Sequence, residues 1–137
     1  MLNENVLKKI IQWITFANED LQFAQHGLTI TKKPPHRLIA FHAQQSVEKY
    51  LKAFLVFKNV DFPHTHNISR LLELCSKYNT WSTDLKDAKQ LTAFAISSRY
   101  PGEDEEVTRD EAVKAVFIAA NVREVVRKTL LKEGVSL

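Results

Sequence analysis

The chain has 137 residues, of which 45% are hydrophobic and 26% charged, with a formal net charge of +3. That length fits one domain over residues 1–137, with enough apolar material for a continuous core without disulfides or a structural metal. The charge is too mild for a strong non-specific nucleic-acid binder, the lone Cys75 excludes an internal disulfide, and only 3 Gly and 4 Pro disfavour a turn-punctuated sheet protein.

The segment from Met1 to Trp13 lacks the basic start, apolar run and small-residue cleavage site of a signal peptide. No apolar run approaches the roughly eighteen residues that span a bilayer. The expectation is a cytoplasmic protein with no membrane partner.

A first helix is expected from about Asn3 to His26. Leu7, Ile10, Ile11, Ile14, Ala17, Leu21 and Ala24 recur at three-and-four spacing along it. Gly27 reads as its stop. Residues 28–33 form a connector with short-strand character but no partner strand nearby.

Pro34 and Pro35 suit the opening of a second helix, running to about Lys58. Its inward face is Ala40, Ala43, Val47, Tyr50, Leu51, Phe54 and Phe57, and His42, Gln45, Lys49 and Lys52 form a polar ladder on another. Glu48, beside Lys49 and Lys52, reads equally well as solvated surface. Gln44 and Gln45, uncharged amides in an apolar helix, suggest a face that meets protein or ligand. Phe41, Gln44, Tyr50, Phe54 and Phe57 spread round more than one side, which suggests a symmetric dimer.

Asn59, Asp61 and Pro63 mark a loop, after which a third helix runs from Asn67 or Ser69 to about Tyr78. It turns Ile68, Leu71, Leu72 and Cys75 inward, with Cys75 as a buried small hydrophobe. Ser82 or Thr83 opens a fourth helix carrying Leu85, Ala88, Leu91 and Ala95, which ends before Pro101. The acidic run from Glu103 to Glu106 reads as a solvated loop. Thr108 and Glu111 then form a capping box for a fifth helix, reaching about Lys132 with Ala112, Val116, Ala119, Val122, Val126 and Leu130 inward. Short connections imply an all-α antiparallel up-and-down bundle of four to five helices.

His64-Thr65-His66 invites a metal, but a site normally needs three or four ligands, and no HExxH helix or CxxC pair completes the set. No metal or cofactor is expected. The two histidines precede a helix N-terminus, whose amides and dipole favour phosphate. No P-loop or dinucleotide glycine motif is present.

Three stretches together resemble the HEPN family. Phe41-His42-Ala43-Gln44-Gln45-Ser46-Val47-Glu48-Lys49-Tyr50-Leu51-Lys52-Ala53 is similar to its Gln-Gln-x-x-Glu-Lys-x-x-Lys helix. His64-Thr65-His66-Asn67-Ile68, followed by Leu71, resembles its Thr-His-Asp/Asn start of a helix, and Arg99-Tyr100-Pro101 its signature before the last helix. The order and spacing run through residues 5–130.

The resemblance implies a homodimeric helical bundle that binds a nucleotide or cleaves RNA. Many members act beside a minimal nucleotidyltransferase in a two-component, toxin–antitoxin-like system. The ribonuclease members carry Arg-x(4–6)-His near the last helix, which neither Arg99 nor Arg109 matches. Arg37 and His42 do have that spacing, but in the second helix, splayed by about 140°. The expected function is therefore a non-catalytic module binding a nucleotide or other phosphate-bearing ligand. Its candidate contacts are Lys49, Lys52, His64, His66, Arg99 and Tyr100, with no catalytic residue assigned. The alternatives are a metal-independent endoribonuclease toxin using Arg99 with a histidine brought close by the fold, and a purely structural assembly protein.

Overall fold

The computed structural model describes residues 2–79, 81–95 and 106–137, apart from the side chains of Ser82 and Thr83. Arg99, Tyr100, Pro101 and the acidic residues Glu103 to Glu105 lie outside the described residues. The helices are α1 (Glu4–Gly27), α2 (His36–Phe57), α3 (Ile68–Cys75), α4 (Trp81–Asp84) and α5 (Arg109–Lys132), with a 3-10 segment, Lys86–Phe94, between the last two. No strand occurs among the described residues, and the connector 28–33 is irregular. The fold is the expected all-α bundle. No helix among the described residues is long and apolar enough to cross a membrane.

Local chemistry sets the helix ends. Asn3 accepts from the Asn5 amide at 2.7 Å at the start of α1. Thr108 and Glu111 close the expected capping box on α5, with bonds of 3.1 and 3.0 Å. At the end of α2, Asn59 takes a left-handed backbone (φ 55°), and the Val60 amide reaches back to the Leu55 carbonyl at 2.9 Å. Gly134 (φ 93°) does the same for α5, where Val135 bonds to Leu130 at 3.0 Å.

α2 is the central element, packing against α1, α3, the 3-10 segment and α5. Gly27 meets Ile39, Asn18 meets Tyr50 and Trp13 meets Lys52, so α1 and α2 run antiparallel. Lys58 pairs with Glu133 while Arg123, farther back along α5, lies beside Tyr50, so α5 runs parallel to α2. That is the relation of second and fourth members in an up-and-down bundle. The core joins Ile10, Ile14, Ala17, Leu21 and Ala24 of α1 to Val47, Leu51 and Phe54 of α2 and to Ala112, Ala119, Val122, Val126 and Leu130 of α5.

Four details differ from the sequence reading. Ile11 is 42% exposed, because one residue beyond Ile10 is a rotation of about 100°, off the packed face. Phe57 is only half-buried. Gly27 does not stop α1 through a left-handed backbone. It is the last helical residue, and its role is close approach, since a Cβ there would stand 2.6 Å from Ile39 Cγ1. The expected fourth helix divides into the single turn of α4, whose Trp81 amide bonds to Asn79 at 2.8 Å, and the 3-10 segment. Leu85, Ala88, Leu91 and Phe94 repeat every third residue, the period at which a 3-10 helix stacks one face.

Candidate functional site

The outer side of α2 and the loop before α3 meet around one carboxylate. Glu48 does not belong to a solvated surface: its side chain is only 3% exposed. A buried carboxylate persists only when its oxygens are satisfied. Oε1 accepts from Gln44 Nε2 and from Gln45 Nε2 at 3.5 Å, and His66 Nδ1 stands 2.9 Å away. Lys52 Nζ lies 3.6 Å from Oε2. Gln44 also donates to the His66 carbonyl at 3.3 Å, tying the loop to mid-α2. Gln44 is therefore buried and committed to internal bonds, and is not an external face.

Asp20 of α1 organises a second set. One oxygen lies 2.9 Å from His42 Nδ1, and the other accepts from Lys49 Nζ. The His42 ring is flanked by Phe23 and Phe41, with centroids at 4.7 and 5.2 Å. Behind these groups, Tyr50 donates to Asn18 at 2.5 Å and Arg123 Nε donates to the same oxygen at 3.1 Å, locking α1, α2 and α5 together. Burial pushes the Tyr50 phenol well above its ordinary range, against the opposing pull of Arg123.

The expected contacts thus fall into two groups. Lys52 and His66 share Glu48, and exposed His64 stands two residues from His66. Lys49 belongs to the Asp20 group. Arg99 and Tyr100 lie outside the described residues. At the α3 N-terminus, the amides of Asn67, Ile68 and Arg70 already bond to Thr65, Thr92 and Asn67 side chains. Helix-end amides alone therefore supply little for an anion, and charge must come from side chains. No group of three or more metal-ligating side chains occurs among the described residues.

Sequence reasoning missed Asp20, which reaches partners 22 and 29 residues away, so no local motif connects them. It also missed Trp13 and Phe62, whose rings lie 5.5 and 5.9 Å from Lys52 Nζ. The apolar surface expected to drive dimerisation is corrected too. Tyr50, Phe54 and Gln44 are buried within the single chain, and the exposed aromatic residues among those described include Phe16 and Phe23 of α1, at 50% and 58%, with Tyr78 and Phe117 elsewhere.

The HEPN domain family model matches residues 10–129. Among solved structures, an archaeal HEPN homologue superposes with a TM-score of 0.71 at 24% identity, covering 88% of this chain and 97% of that one. A protein from Thermus thermophilus gives a TM-score of 0.70 at 25% identity, over 88% of this chain and 97% of that one. No curated protein matches the sequence.

Proposed function

The chain belongs to the HEPN family, and on that premise we propose that it is a non-catalytic module binding a nucleotide or other phosphate-bearing ligand. It works as a symmetric homodimer beside a minimal nucleotidyltransferase, in a two-component, toxin–antitoxin-like system. The observation that carries the ligand reading is the gathering of Lys52 and His66 on buried Glu48, with exposed His64 two residues before His66 in the same loop. The Lys52 ammonium there is the group from which a phosphate gains a charge-assisted hydrogen bond. Lys49 supplies positive charge from the neighbouring Asp20 group.

The ribonuclease alternative is disfavoured by the chain itself, since no histidine follows His66 and the family's Arg-x(4–6)-His cannot be formed at the last helix. Metal-free RNA cleavage needs a base and an acid at the scissile phosphate, and histidine is their usual source near neutral pH. For the homodimer, exposed Phe16 and Phe23 supply an aromatic edge that a second copy would cover. Calorimetric titration with AMP tests the ligand reading. Binding that weakens with salt and is reduced in Lys52→Gln supports it, and absence of heat with any nucleotide leaves a structural, partner-binding role.

A further inference from the structure

Glu48 does more than hold His66 in place. Its Oε1 is surrounded by the Gln44 and Gln45 amides and His66 Nδ1, while the Lys52 ammonium faces Oε2. A carboxylate paired with an ammonium offers only lone pairs, so the imidazole must bring its hydrogen on Nδ1. In the neutral ring Nε2 is then a bare acceptor, and the side chain is 61% exposed. Around the same carboxylate stand Lys52 and the two rings packed on its ammonium, Trp13 and Phe62. A fully ionised phosphate has no hydrogen to give a bare nitrogen, whereas a sugar hydroxyl does.

We propose that His66 Nε2 accepts a hydrogen bond from a ribose hydroxyl of the bound nucleotide, with Glu48 as the positioning residue that fixes the tautomer. The site then selects ribonucleotides over deoxyribonucleotides. This rests on the nucleotide-binding reading and adds the sugar to it.

Two measurements on the full chain test the inference. Nitrogen NMR of the ligand-free protein above neutral pH should show the His66 hydrogen on Nδ1, and a hydrogen on Nε2 instead overturns the inference. Calorimetric titration should show AMP binding about fivefold more tightly than its 2′-deoxy or its 3′-deoxy analogue, the worth of one ordinary hydrogen bond. His66→Asn keeps an amide hydrogen for Glu48 but has no outward nitrogen, and should bind all three alike. Equal affinities in the native chain, or a preference that survives His66→Asn, sink the inference and leave nucleotide binding standing. Failure of all three nucleotides to bind sinks both.

Discussion

His66 Nδ1 lies 2.9 Å from Glu48 Oε1, joining a largely exposed loop imidazole to a deeply buried carboxylate. The pair links the loop before α3 to the middle of α2. Because Lys52 shares the carboxylate, the stability of the rim and its charge depend on the same residue.

Glu48→Gln keeps the shape of the side chain but strips the charge that faces Lys52, itself only 11% exposed. The expected cost is about 1–3 kcal/mol, that of a buried ammonium left short of its partner. Urea denaturation of native and variant chains measures it. An unchanged midpoint would mean that Lys52 finds other partners and that Glu48 is not the hub described.

Gly27→Ala should destabilise the bundle by about 1–3 kcal/mol through overpacking, because the new Cβ would meet Ile39 at 2.6 Å. The backbone there is ordinary helix, so propensity alone favours alanine. A stabilised variant in thermal melts would show that α1 and α2 separate easily at that end.

Cys75 is buried, and desolvation pushes its thiol up from 9.0 to about 12. The folded protein should not react with a thiol reagent at neutral pH, while the urea-unfolded chain should react fully. The unfolded thiol ionises near 9.0 and the folded one does not, so above that pH the unfolded state binds fewer protons and stability falls. Tyr50 acts in the same direction above its ordinary 10.0, since burial raises its folded value as well. A denaturation midpoint flat from neutrality through that alkaline range would contradict both burials.

Much of the fold is legible in the sequence because helices declare themselves locally. The capping box of Thr108 and Glu111, the stripe from Ile10 to Ala24 and the loop at Asn59 all depend on near neighbours in sequence. The 3-10 segment is legible in principle, through the three-residue repeat of Leu85, Ala88, Leu91 and Phe94, but the same residues also fit a looser α-helical period. The site is only half legible. The Gln-Gln-x-x-Glu-Lys-x-x-Lys pattern marks the right helix, but the burial of Glu48 is decided by a loop 18 residues away, and Lys49 by Asp20, 29 residues back. Such pairings are set by the packing of α2 against α1 and the loop before α3, which no local pattern encodes.

Light scattering should give twice the 15.8 kDa chain mass at tens of micromolar protein, the order at which association worth about 6–7 kcal/mol becomes visible. Replacing Phe16 and Phe23 together by serine should shift the population toward monomer, because their rings are the open edge of α1. A native chain that scatters as a monomer would remove the homodimer from the proposal and leave the ligand site untouched.

Calorimetric titration of AMP into the native chain at low and at physiological salt, with total RNA incubated in parallel, tests the central claim most directly. The proposal predicts saturable heat that weakens with salt, a loss of affinity of about tenfold in Lys52→Gln from one missing charge-assisted bond, and intact RNA with or without magnesium. No heat with the native chain, or RNA cleavage by it, would contradict the reading of a non-catalytic nucleotide-binding module.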